Sequence, residues 1–229
     1  MKTIVIGDVH GCSTALNTML TKVKPENEDT LVMLGDLFDR GPDSFGVFKI
    51  VQHLARKMGE RFILLRGNHE DYLLQPKLSL MQRIMWERVG RSATVQSFKA
   101  HGEKMEAAIP WIKDHCRLYW RGGAGIQCVH AGLRTDPPEV NDTQTLVHDH
   151  QVVMRNEYDG PLTVVGHIAL DMPVWFAGDG ETEVNLPYSE WKPLPDRGII
   201  CIDTGCGKGG CLTAMIVEDG QFKLEGAAP

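Results

Sequence analysis

Five times along this chain a short apolar run ends at once in a small polar motif. Thr3-Ile4-Val5-Ile6 leads into Gly7-Asp8-Val9-His10-Gly11, and Leu31-Val32-Met33-Leu34 leads into Gly35-Asp36-Leu37-Phe38-Asp39-Arg40-Gly41. Phe62-Ile63-Leu64-Leu65 precedes Arg66-Gly67-Asn68-His69-Glu70-Asp71, Ile126-Gln127-Cys128-Val129 precedes His130-Ala131-Gly132, and Leu162-Thr163-Val164-Val165 precedes Gly166-His167. Such runs bounded by glycine read as buried strands. Between the first two, Ala15, Leu16, Met19, Leu20 and Val23 space one face of a helix, with Ser13 as its expected N-cap. Residues 43–58 pass the same test. The opening 70 residues therefore read as β-α-β-α-β, which implies parallel strands and right-handed crossovers. In open α/β sheets function gathers beyond the carboxyl ends of the strands. The motifs should meet there, although about 160 residues separate the first from the last.

The rest of the chain fills in around that frame. Residues 72–120 are rich in Leu, Met, Gln, Arg and Glu and predict two or three helices, an insert forming one wall of a cleft. Residues 172–198, rich in Pro, Gly, Glu and Trp, predict a long surface loop or irregular hairpin, of a length that is often functional. The tail from Ile199 to Leu224 predicts two strands around a glycine turn. We expect one domain over 1–229. No stretch approaches the roughly 20 apolar residues of a membrane span. The apolar run before Gly7 is too short for a signal-peptide core, so a cytoplasmic location is expected. A net charge of −6 argues against a nucleic-acid partner. The six cysteines form no CxxC pair and read as reduced thiols.

The strand ends offer Asp8, His10, Asp36, Asp39, Asn68, His69, His130 and His167. These are oxygen and imidazole donors without a thiolate, a set that suits Mn, Fe, Zn or Mg-like ions. They are too many for one catalytic ion with an open position. They suit two ions sharing a carboxylate, roughly 3.5–4 Å apart, which clamp a phosphoryl oxygen and acidify a water. Taken singly, each histidine reads as readily as a structural one. Five ordered motifs together do not.

Those motifs resemble the calcineurin-like metallophosphoesterases. The forms GDLFDRG and GNHE, with residues 148–157 and Ile202-Asp203-Thr204-Gly205, are similar to the phosphoprotein-phosphatase branch and its small bacterial and phage lambda-type Ser/Thr phosphatases. The resemblance implies an α/β fold: a β-sandwich of two mixed sheets flanked by helices in four layers, with the site at the carboxyl ends of the strands. It implies that Asp8 and His10 bind a first metal, that Asp36 bridges, and that Asn68, His130 and His167 bind a second. His69, helped by Asp39, would be the general acid, and Arg40 and Arg155, with Asn68, would hold the phosphate. A metal-bridging hydroxide would attack phosphorus directly. Mn is the expected ion, with Fe, Zn, Ni or Co fitting the same ligands, and a monomer is expected.

The implied activity is hydrolysis of phosphoserine or phosphothreonine proteins, with phosphotyrosine open. The alternative is a dinucleoside polyphosphate hydrolase, some of which lack the acid that Asp39 supplies here. A phosphodiesterase or nuclease, and an inactive phospho-binding module that kept the fold, stand further off. Ile168 and Cys206 depart from the family pattern. His53, His101, His115, His148, His150 and Lys208 are expected to be structural or exposed, although His148 and His150 lie close enough to Arg155 to line a pocket.

Overall fold

The computed structural model describes all 229 residues. The chain opens with β1 (Thr3–Ile6), α1 (Ser13–Val23), β2 (Thr30–Met33), α2 (Ser44–Met58) and β3 (Phe62–Leu65). Four helices follow: α3 (Asn68–Leu74), α4 (Leu80–Arg88), α5 (Arg91–Ala100) and α6 (Ile109–His115). Next come β4 (Cys116–Arg117), β5 (Tyr119–Arg121), β6 (Gln127–Val129), α7 (Thr143–His148), α8 (Gln151–Met154) and β7 (Thr163–Val165). The chain ends with β8 (Val174–Phe176), β9 (Glu183–Asn185), β10 (Lys192–Pro193), β11 (Ile199–Cys201), β12 (Leu212–Glu218) and β13 (Gln221–Ala227).

These strands make two mixed sheets, ordered β10-β13-β12-β1-β2-β3-β4 and β5-β6-β7-β11-β8-β9. The pairs β1–β2 and β2–β3 are parallel, in a register that sets Ile6 beside Met33 and Met33 beside Leu64. The first three motifs therefore leave the sheet along one edge. In the second sheet β6, β7 and β11 are parallel, so three more chain segments leave it in the same way.

Side chains alternate across a strand, and here both faces are buried. Val5, Val32, Ile63 and Leu65 point between the sheets, where they meet Cys128, Val164, Ile200 and Ile202. Ile4, Ile6, Leu31, Met33 and Leu64 point outward against Leu16, Met19, Val47, Phe48 and Val51 of α1 and α2. On the far side, Val129, Val165 and Cys201 pack on Leu146 and Val147 of α7. The layers run helix, sheet, sheet, helix. Apolar runs without polar alternation are what two-sided burial requires.

Two local expectations needed correction, and a third was decided between its two options. Ser13 is the first residue of α1 and not its cap; its hydroxyl donates to Asp43 Oδ2 at 2.6 Å, and Asp43 caps α2 through the Gly46 N–H. The tail holds three strands: β11 joins the second sheet, while β12 and β13 form a hairpin beside β1. Residues 172–198 are the irregular hairpin of the two options, since β8 and β9 pair on β11 while β10 reaches across to β13. No helix is long and apolar enough to cross a membrane.

Leu65 is fully buried between the sheets. Leu65→Ala should cost about 2–5 kcal/mol of stability, read as a lower urea midpoint with unchanged slope. A midpoint equal to that of the parent protein would show that the sheets do not pack as described.

Candidate active site

Both sheets deliver the site, and the backbone is bent to aim it. Nine non-glycine residues have positive φ, and five of them are His10 (45°), Asp36 (49°), Asp39 (71°), Arg40 (65°) and His167 (66°). Such positions cost about 1–3 kcal/mol each and persist where the surroundings over-determine them. Here the bends turn side chains off the strand ends toward one point. Two glycines make room for carboxylates: a Cβ on Gly67 would collide with Asp36 Oδ1, and one on Gly166 with Asp8 Oδ1.

Asp36 lies at the centre. Its Oδ2 is 3.6 Å from His10 Nε2 and 3.8 Å from His69 Nε2, and its Oδ1 is 3.5 Å from His130 Nε2. The Oδ1 also accepts the His69 N–H at 3.0 Å. Asn68 Oδ1 stands 3.2 Å from His130 Nε2 and 3.0 Å from His167 Nδ1. Asp8 Oδ2 accepts the His167 N–H at 3.0 Å. Two sets of donor atoms lie within 4.8 Å of one another, His10–Asp36–His69 and Asp36–His130–His167. The structure thus brings Asp8, His10, Asp36, Asn68, His130 and His167 to one place, with Asp39, Arg40 and His69 beside them. Arg40 lines the cleft of about 190 Å³, and its Nε lies 3.3 Å from His10 Nε2.

This arrangement fits cations. His130 Nδ1 lies 2.9 Å from Leu34 O. A carbonyl only accepts, so the proton sits on Nδ1 and Nε2 shows a lone pair to Asn68 Oδ1 and Asp36 Oδ1. Three acceptors then face one another with no proton among them. Asp8 Oδ1 is buried without a hydrogen-bond partner. Burial, then Asp203 and Asp36, pushes the Asp8 carboxyl well above its usual range. Asp203, only 4% exposed, is itself raised by burial. Carboxylates gathered this closely in a dry site need a positive partner to ionise together.

The four imidazoles divide into two kinds. Burial lowers His10 to about 3 and His167 to about 2, with His69 and His130 respectively adding to the shift, and burial also lowers His130. Neutral rings are the form that coordinates metals. His69 goes the other way. Burial disfavours its charge, but Asp36 and Asp39 outweigh burial and raise its pKa. Its Nδ1 is 2.6 Å from Asp39 Oδ2. Asp39 is fully buried and saturated: Trp86 Nε1 donates to Oδ2 at 2.7 Å, and Thr94 Oγ1 donates to Oδ1 at 2.6 Å. A carboxylate so held favours the charged form of the imidazole beside it and fixes its orientation.

Several residues outside the expected set prove structural to the site. Glu70, fully buried, accepts the N–H groups of Asp36 (2.7 Å), Leu37 (2.8 Å) and Gly67 (3.0 Å), binding the second motif to the start of α3. Its place three residues after Gly67, as in a capping box, was the available signal. Trp86 and Thr94 come from α4 and α5 and carried no local signal. Asp203, His150 and Lys208 line the cleft.

Arg155 is the expected site residue that is not brought in. It is exposed at the end of α8, and its guanidinium donates to Gln151 Oε1 one turn back at 2.9 Å. It lines a separate hollow with Leu133, Arg134 and Tyr158. The four-residue helix turns its side chain along its own axis and away from the cleft.

Burial, then Asp36, raises Glu70 from 4.5 to about 7. A raised carboxyl favours the folded chain in its protonated form. That stability is complete below about 4.5 and is lost as pH rises through about 7. In chelator-treated protein, the stability of the parent relative to Glu70→Gln should therefore fall as pH rises across that window. A difference constant with pH, measured by urea unfolding, would contradict the assignment.

A family model of the calcineurin-like phosphoesterases matches residues 1–202. A curated relative from Escherichia coli, named symmetrical bis(5'-nucleosyl)-tetraphosphatase, is 26% identical across 98% of this chain and 94% of its own length. The structure of a metallophosphoesterase from Sphaerobacter thermophilus aligns with a TM-score of 0.67 at 17% identity, covering 99% of this chain and 88% of that one. A protein serine/threonine phosphatase from Saccharomyces cerevisiae aligns with a TM-score of 0.65 at 15% identity, covering 100% and 80%. Both structures share the fold of two packed sheets flanked by helices. With that match spanning most of its length, the chain belongs to the calcineurin-like phosphoesterase family of dinuclear metal-dependent hydrolases.

Proposed function

We propose that this protein hydrolyses phosphomonoesters with an alkoxide leaving group, phosphoserine or phosphothreonine in proteins, using His69 as the proton donor. The observation that carries this reading is the buried His69–Asp39 pair. An alkoxide leaves poorly unless protonated, so a fixed, charged imidazolium is worth most for such a group.

Asp8 and His10 would hold one ion, Asn68, His130 and His167 the other, and Asp36 would touch both. Bound there, the ions supply Lewis acidity toward the phosphoryl oxygens and toward the attacking water. Arg40 offers its guanidinium to the outer phosphate oxygens. His69 Nε2 faces the same space and delivers its proton to the departing oxygen, while Asp39 holds the ring in place.

A second reading is symmetrical hydrolysis of dinucleoside tetraphosphates. Its support is the Escherichia coli relative of that name, which this chain matches almost end to end. A nucleoside diphosphate leaves as a stable anion and has less use for His69.

Manganese-loaded protein should therefore be assayed on a phosphoserine peptide, diadenosine tetraphosphate and p-nitrophenyl phosphate. The proposal expects the highest kcat/KM on the peptide; dominance of the dinucleotide would replace it with the second reading. His69→Asn should cut kcat on the peptide by about 10²–10⁴-fold and by clearly less on p-nitrophenyl phosphate, whose leaving group is more acidic. Equal losses on both would remove His69 as the acid. Asp36→Asn should lower metal content as well as rate; full occupancy in that variant would refute the shared-ligand assignment.

A further inference from the structure

Each imidazole of the centre turns one ring nitrogen inward and has the other held by a neighbour. His10 Nδ1 lies 2.8 Å from Phe38 O, His130 Nδ1 lies 2.9 Å from Leu34 O, and His69 Nδ1 lies 2.6 Å from Asp39 Oδ2. An oxygen that only accepts puts the proton on Nδ1 in all three, leaving Nε2 to face Asp36. These partners belong to the well-buried motif loops.

His167 is reversed and differently supported. Its Nδ1 faces Asn68 Oδ1 at 3.0 Å, and its Nε2 points outward, 3.1 Å from Nδ1 of His150. The two rings sit 4.1 Å apart at 63°. His167 alone of the four is not fully buried, and no carbonyl or carboxylate holds its outer nitrogen. His150, exposed just beyond α7 at the mouth of the cleft, takes that place.

We propose that His150 is a positioning residue that accepts the Nε2–H of His167, and so fixes the His167 Nδ1 lone pair toward Asn68 and Asp36. This rests on the metal-centre reading given above. The requirement is definite. A ring with a free lone pair on Nδ1 accepts from His167. A ring with its proton on Nδ1 instead donates to His148 O, also 3.1 Å away, and cannot accept. His150 thus carries its proton on Nε2 when it supports the site. Partners that orient a metal-binding histidine from behind typically change metal affinity by about 10–100-fold.

The test is calorimetric titration of chelator-stripped protein with Mn²⁺, in the parent, His150→Ala and His150→Asn, with circular dichroism to confirm the fold. Parent protein should bind two ions. His150→Ala should weaken one of them by about 10–100-fold. In His150→Asn, Oδ1 stands where Nδ1 stood and accepts a proton, so most of the affinity should return. The visible spectrum of Co²⁺-loaded protein should change in the alanine variant and not in the asparagine variant. Unchanged binding in His150→Ala, or equal losses in both variants, overturns the positioning role. A parent protein that binds fewer than two ions overturns the metal-centre reading itself, and this inference with it.

Discussion

The structure is organised around the cost of burying carboxylates together. Asp8, Asp36 and Asp203 are each at most 4% exposed, gathered where the ends of two sheets converge. Ionised carboxylates in a dry, low-dielectric site repel one another and lose their hydration. The chain answers this with inward-facing imidazoles, with backbone N–H groups, and with a donor set that a cation completes. Glu70 shows the same logic one layer out: three N–H groups converge on one buried carboxylate and lock the second motif loop to α3. The strained φ values at His10, Asp36, Asp39, Arg40 and His167 persist because so many contacts agree on those conformations.

The helical insert supports the geometry of the site as well as forming a wall. Trp86 on α4 and Thr94 on α5 saturate Asp39, and Asp39 in turn holds His69. Asp36 and Asp39 thereby raise the pKa of one imidazole, while burial lowers those of the other three. Removing the insert would leave Asp39 without the neighbours that make its negative charge tolerable inside the protein.

The sandwich explains why such a site needs two sheets. One parallel edge supplies Asp8, His10, Asp36, Asn68 and His69, and the facing edge supplies His130, His167 and Asp203. Asp36 and Asn68 stand at the seam and touch rings from the opposite sheet. A shift of one sheet over the other by about one residue, roughly 3.3 Å, would part them. The apolar packing of Val5, Val32 and Leu65 against Val164 and Ile200 therefore sets the distances of the site.

Much of this was legible in the sequence. Apolar runs ending in a small polar motif marked β1, β2, β3, β6 and β7, and the residues just beyond each run are the ones that converge. That works because a strand end and the turn after it are local features, determined by a few consecutive side chains. The sheet-switching tail and the role of Ser13, which bonds Asp43 instead of capping α1, were less clear, since both depend on partners far along the chain. Only the tertiary structure decided which distant groups complete the site: Trp86, Thr94 and Asp203 enter, His150 reaches His167, and Arg155 turns back along α8. A short motif determines what a residue can do. What it touches depends on packing between segments that no local spacing relates.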